Sequence, residues 1–187
     1  MKLKVVVSLL AFVSLFAVAA QAQEEGRQRL EVFAGYSYVR ANPSTSTNGF
    51  SLNGGSASVS YNVNNWLSGV ADFGGYTNTN IFGSGRDGTL STYLFGPRVT
   101  YRRFRRVTPF GEVLFGVAHS GANALSTANN RTAFGMTVGG GLDYRLNSHW
   151  SLRAAKVDYL LTRFNELNLG TKNQNNVRVS TGVVFRF

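Results

Sequence analysis

From Arg29 onward the chain alternates apolar and polar side chains, run after run. In Ser56-Ala57-Ser58-Val59-Ser60-Tyr61-Asn62-Val63 every second residue is apolar and the residues between are polar. A period of two puts successive side chains on opposite faces of an extended chain, so each such run predicts a β-strand. The reading predicts eight strands: about 29–40, 54–63, 66–77, 89–101, 107–119, 132–145, 150–164 and a last one ending at Phe187. In that last strand Val177, Val179, Thr181, Val183, Phe185 and Phe187 share one face, opposite Arg178, Ser180, Gly182, Val184 and Arg186. Pro97 lacks an amide donor and predicts a bulge in the fourth strand.

The connections sort by length. Residues 41–53, 78–88, 120–131 and 165–176 are long and rich in Asn, Ser, Thr and Gly, whereas Asn64-Asn65, 102–106 and 146–149 are short. Long and short links alternate, which predicts hairpin-connected antiparallel strands with the long links at one end. An even strand number with short turns on one side and long loops on the other is the habit of bacterial single-chain membrane barrels. It predicts both termini on the periplasmic side.

The composition of the two faces decides what surrounds the sheet. The apolar faces carry almost no Lys, Glu or Asp, while Asp72, Arg98, Glu112, Asp143, Lys156, Asp158 and Arg178 share the other face. A soluble barrel would show the reverse. Apolar faces turned to lipid need a closed sheet, because open edges would leave unpaired N–H and C=O groups in hydrocarbon. The predicted fold class is therefore all-β, an eight-stranded antiparallel transmembrane up-and-down β-barrel. Eight strands leave a narrow interior filled by side chains, and charges buried there need partners. Hairpin register about Arg105 sets Arg98 opposite Glu112 and predicts an internal ion pair. Arg153 falls on the lipid-facing phase of strand seven. Either it lies at the membrane interface or a bulge near Ala154-Ala155 turns it inward. Tyr36, Tyr38, Trp66, Tyr101, Tyr144, Trp150 and Phe187 fall near strand ends, as interfacial aromatic girdles do.

The N-terminus has its own pattern. Lys2 and Lys4 precede an apolar run from Val5 to Ala20, followed by Ala20-Gln21-Ala22. This predicts a secretory signal peptide over residues 1–22 cleaved after Ala22, a short lead-in over 23–28, and a barrel domain over 29–187. No apolar run beyond the leader reaches the roughly 20 residues of a spanning helix. The net charge is +10, and the leader takes Lys2 and Lys4 with it to leave +8. A basic chain invites nucleic acid as a partner, but export removes that partner and offers anionic lipids instead. There are no cysteines, hence no disulfide scaffold and no thiolate chemistry.

Several stretches carry a family resemblance. Tyr93-Leu94-Phe95-Gly96-Pro97-Arg98, Thr108-Pro109-Phe110-Gly111-Glu112, Gly139-Gly140-Gly141-Leu142-Asp143-Tyr144, and Arg153 with Asp158-Tyr159 resemble the small eight-stranded outer-membrane barrels related to the OmpA transmembrane domain. The tail, with Ser180, Gly182, Phe185 and a terminal Phe187, resembles the closing strand of that family. The resemblance implies that this segment is the signal read by the barrel-assembly machinery. It also implies residence in the cell outer membrane as a multi-pass protein. Larger relatives append a peptidoglycan-binding domain; none is expected in this chain.

Little catalytic chemistry is on offer. The two histidines, His119 and His149, fall at opposite ends of the predicted barrel and cannot share a metal. His119-Ser120 raises the lipid-modifying activity of some eight-stranded barrels, but no carboxylate is matched to it in sequence. No phosphate loop, dinucleotide fingerprint, zinc motif or calcium loop is present. The expectation is a non-catalytic outer-membrane barrel without cofactors, serving envelope integrity or surface contact through four external loops. Its partners would be outer-membrane lipids and the assembly machinery. A narrow pore, a lipid-modifying enzyme and a soluble lipocalin-like carrier are the competing readings.

Overall fold

The computed structural model describes residues 29–42, 50–78, 87–123, 131–166 and 170–187. The expected leader, its cleavage residues Ala20 and Ala22, and the lead-in lie outside these residues. The described chain forms β1 (Leu30–Asn42), β2 (Phe50–Asn62), β3 (Leu67–Asn78), β4 (Asp87–Thr100), β5 (Val107–Asn123), β6 (Arg131–Arg145), β7 (Trp150–Glu166) and β8 (Gly170–Arg186). Each strand pairs antiparallel with its neighbours, and β8 pairs with β1, so the sheet closes as an up-and-down barrel. Closure sets Gly35 opposite Gly182 and Ser37 opposite Ser180. The two ends of the sheet meet at one end of the barrel, where the Phe187 amide donates to the Leu30 carbonyl at 2.9 Å.

The alternation translates directly into two environments. Phe33, Ser37 and Val39 in β1 point into the lumen and are buried, whereas Tyr36 and Tyr38 face outward and are exposed. Phe73, Tyr93, Phe95, Phe115, Phe134 and Tyr159 are large, exposed apolar or aromatic side chains on the outer face. Lipid is the medium in which such a surface is stable. The short turns at the end that bears the termini are held by side-chain caps. Asn64 Oδ1 accepts from the amides of Trp66 and Leu67 at 2.9 and 2.7 Å. Asn147 Oδ1 accepts from those of His149 and Trp150 at 3.0 and 2.7 Å. Asparagine folds a chain back in this way because its side chain imitates a backbone carbonyl.

Three sequence expectations need correction or completion. First, 165–176 is not a long loop. β7 runs to Glu166 and β8 begins at Gly170, with Leu160 opposite Asn176 and Thr162 opposite Gln174. Polar residues there continue the ladder because backbone pairing needs no apolar side chains once the sheet leaves the lipid. Second, Pro97 makes no bulge. Pairing with β5 lapses at Gly96 and Pro97 but resumes unshifted at Arg98 opposite Glu112, and Gly69 still faces Pro97 on the other side. Third, the bulge lies in β7. Register shifts between Arg153 and Lys156 against β8, and at Leu142/Asp143 against β7. The extra residue leaves Ala154 and Ala155 both exposed and brings Arg153 inside, 0% exposed. The Thr181 hydroxyl donates to the Arg153 carbonyl at 3.0 Å.

The lumen is not uniformly polar. Val70, Leu94, Leu114 and Leu160 form one buried apolar cluster, and Val39, Leu52, Tyr76, Leu90 and Ala118 form another. Val39, Leu52, Leu90 and Ala118 sit toward the ends of their strands that meet the longer connections. The charged side chains fill the other half.

Candidate functional site

All seven charged residues that the alternation placed inside are buried: Asp72, Arg98, Glu112, Asp143, Lys156, Asp158 and Arg178. β3 and β7 stand on opposite walls of the closed sheet, and Lys156 bridges them. Its Nζ lies 2.9 Å from Asp72 Oδ2 and 2.5 Å from Glu112 Oε1. On one side Glu112 Oε2 takes the Arg98 guanidinium at 2.7 Å. On the other, Arg178 Nη1 reaches Asp72 Oδ1 at 2.7 Å, and its Nε reaches Asp158 Oδ2 at 2.7 Å. One chain of alternating charge thus runs Arg98, Glu112, Lys156, Asp72, Arg178, Asp158.

Asp143 pairs with Arg153 instead. Arg153 Nε and Nη2 donate to its two carboxylate oxygens at 2.8 and 3.0 Å, a bidentate contact. The same guanidinium is sandwiched between aromatic faces, 4.4 Å from the Phe33 centroid and 4.5 Å from that of Phe110. Arg98 covers the far side of Phe110 at 4.6 Å. A planar, weakly hydrated guanidinium suits such stacking, where a lysine would not.

In this deep set four carboxylates (Asp72, Glu112, Asp143, Asp158) face four cations (Arg98, Arg153, Lys156, Arg178). Charges out of water hold together only when each is matched and hydrogen-bonded. Arg178 Nη1 also donates to the Tyr76 hydroxyl at 3.0 Å, and Arg98 Nη1 to Ser60 Oγ at 3.0 Å. Room for Asp158 comes from the neighbouring strand β6, where Gly139 is paired with it. A Cβ on Gly139 would strike the Asp158 carboxylate and the β7 backbone.

Sequence reasoning missed two partners, Tyr76 and Arg102, and left Arg153 open between the membrane interface and a bulge at Ala154-Ala155; the bulge is the alternative observed. Tyr76 stands on the same face as Asp72, four positions on, and that spacing was the available signal. Arg102, in the short link 102–106, folds back into the barrel mouth. There its Nη2 reaches Glu31 Oε1 at 2.9 Å, and Arg186 Nε reaches the same oxygen at 3.2 Å.

The tail residues are distributed as follows. Ser180 is buried and accepts from Ser37 at 2.7 Å. A Cβ on Gly182 would strike the Ala34 carbonyl, so the space that this glycine leaves is filled by the β1 backbone. Phe185 packs edge-on against Trp150 and against Phe187, both at 4.7 Å between centroids. His119 accepts from or donates to Thr132 Oγ1 at 2.8 Å and lies edge-on to Tyr93 at 6.0 Å; among the described residues no carboxylate is hydrogen-bonded to it. Among the described residues no group of three His, Cys, Asp or Glu side chains is placed to hold a metal ion.

A family model described as the outer membrane protein beta-barrel domain matches residues 8–187. Among solved structures, Neisserial surface protein A is similar, with a TM-score of 0.69 at 18% identity over 88% of this chain and 100% of that one. Ail, the attachment invasion locus protein of Yersinia pestis, gives 0.60 at 15% identity over 85% of this chain and 98% of that one. The N-terminal β-barrel domain of Pseudomonas aeruginosa OprF gives 0.53 at 16% identity over 87% and 100%. No curated protein sequence matches this chain. At these identities the structural likeness shows the fold alone.

The likeness to the Neisserial barrel corrects the expected location, a multi-pass protein with both termini periplasmic. Such a chain crosses by the strands of one closed sheet, not by multiple independent passes as helices do. A lone strand cannot satisfy its own backbone in hydrocarbon, so the whole sheet is the crossing unit. Closure brings Leu30 and Phe187, the two ends of the sheet, to one end of the barrel.

Proposed function

The chain belongs to the outer membrane protein beta-barrel domain family, and from that premise we propose a non-catalytic, plugged barrel that acts through its two ends. Its role is envelope integrity, or contact at the cell surface through the longer connections 43–49, 79–86 and 124–130. The observation that carries this reading is Lys156, whose ion pairs to Asp72 and Glu112 occupy the middle of the lumen. A lumen spanned by matched charges and backed by two apolar clusters favours a plug over a pore. Polar connections held on a rigid sheet suit surface contact. A Neisserial surface protein and an attachment invasion locus protein share the fold, and the extension of a surface role to this chain is ours.

Two parts of the reading concern biogenesis. Residues 1–22 act as a leader cleaved after Ala22, which leaves 23–28 ahead of the barrel. Ser180, Gly182, Phe185 and Phe187 act as the segment that the barrel-assembly machinery reads. The aromatic packing of Phe185 with Trp150 and Phe187 supports that role.

Planar-bilayer recording of the purified, folded protein tests the plug. Flat traces are expected, and steady single-channel conductance would overturn it. Replacing 43–49, 79–86 and 124–130 with Gly-Ser stretches should abolish surface contacts while outer-membrane insertion stays normal.

A further inference from the structure

Among the described residues, charge is matched deep in the lumen and unmatched at the mouth where Leu30 and Phe187 meet. A recess of about 270 Å³ opens there, lined among others by Arg29, Arg102, Arg145, Arg186, Glu31 and Asn62. Among the described residues four guanidinium groups line it against one carboxylate. Glu31 spends a single oxygen, Oε1, on both Arg102 and Arg186. The side chains of Arg29 and Arg145 make no hydrogen bond or ion pair with another described residue, and both are exposed. Burial, and then the neighbouring cations Arg186, Arg145 and Arg98, push Arg102 below its ordinary value against the pull of Glu31.

Guanidinium groups gathered at a partly buried site repel one another unless an anion joins them. Their planar forks fit tetrahedral oxyanions bidentately, phosphate above all. The basic link makes a useful contrast. Arg103, Arg105 and Arg106 come from the same run of residues as Arg102 but lie exposed, outside the recess. We propose that this recess is a phosphate-binding site, with Arg29 and Arg145 as the arms that close on the anion and Arg102 and Arg186 as its base. The phosphate is either free in the adjacent compartment or the headgroup of a phospholipid in the adjacent leaflet, since exposed Tyr61 also lines the recess.

Isothermal titration on the mature full chain, folded in dodecyl maltoside with Glu24 and Glu25 present, tests the site. One arm uses inorganic phosphate and the other uses dihexanoyl phosphatidylglycerol. Saturable one-to-one binding is expected in at least one arm. It should weaken at least tenfold in R29A/R145A and less than twofold in R103A/R105A, which removes the same charge outside the recess. Binding of inorganic phosphate identifies a soluble ligand, and binding of the lipid alone identifies a headgroup. Heat-modifiable gel mobility confirms closure of each variant, and R145E replaces the double variant if that one does not fold. The proposal is overturned if neither probe saturates, or if both double variants weaken binding equally.

Discussion

Lys156 Nζ lies 2.9 Å from Asp72 Oδ2, although the two residues stand on opposite walls of the barrel. This contact staples the sheet across its own diameter, and it defines what a truncation would leave behind. In Lys156→Met both Asp72 and Glu112 lose a cation while remaining buried. Breaking one partner of a buried ion pair costs about 3–5 kcal/mol, mostly through the charge left unpaired. Urea unfolding in detergent micelles should show that loss. Lys156→Met combined with Asp72→Asn should lose less than the sum of the single changes. Strict additivity would show that the contact is not made.

The bulge in β7 is a second lever. Arg153 and Lys156 are three positions apart, a spacing that a regular strand would put on opposite faces, and the extra residue of the bulge brings both inside. Deleting Ala154 leaves them two apart, so the ladder closes without a bulge and both still face the lumen. The deletion variant should therefore keep the compact, heat-modifiable form. Inserting one alanine between Val157 and Asp158 sets Lys156 and Asp158 on opposite faces and should abolish that form. Loss of the heat-modifiable form in the deletion variant, or its survival in the insertion variant, would sink this account of the register.

At the β1–β8 closure, Gly182 stands opposite Gly35, and a Cβ there would meet the Ala34 carbonyl. Gly182→Val should lower stability by about 1–3 kcal/mol, the usual range for overpacking. Gly69 has open space around it, so Gly69→Val should change unfolding little. Equal effects at the two sites would count against the closure geometry.

Phe187 separates assembly from stability. Removing it should cut the fraction inserted in the outer membrane several-fold in cells, while the truncated chain refolded in detergent still becomes heat-modifiable. Normal insertion in cells would end the assembly role proposed for the tail.

The leader makes a simple prediction. Protein recovered from the outer membrane should begin at Gln23 by intact mass. A mature N-terminus elsewhere would displace the cleavage from Ala22, and Ala20→Leu should block processing if the small-x-small pattern is what the peptidase reads.

Period-two alternation was enough to find eight strands, their faces and the burial of Asp72, Arg98, Glu112, Asp143, Lys156, Asp158 and Arg178. It works because a sheet between lipid and a packed lumen leaves each position one of two environments. The Arg98–Glu112 pairing was legible too, since a short hairpin fixes its own register. Residues 165–176 misled because composition marks where lipid ends, not where pairing ends. Arg153 was undecidable because one inserted residue reverses a phase without changing the local pattern.

What the tertiary structure alone decided is who meets whom across the lumen. Asp72 takes Lys156 and Arg178 from β7 and β8, strands 84 and 106 positions away along the chain. Arg153 stacks between Phe33 and Phe110, and Arg102 folds from an apparent surface turn into the mouth. Alternation states only in or out for each residue. Partnership inside a closed sheet depends on shear, on one bulge and on side-chain reach across a diameter, and those exist only once β8 has joined β1.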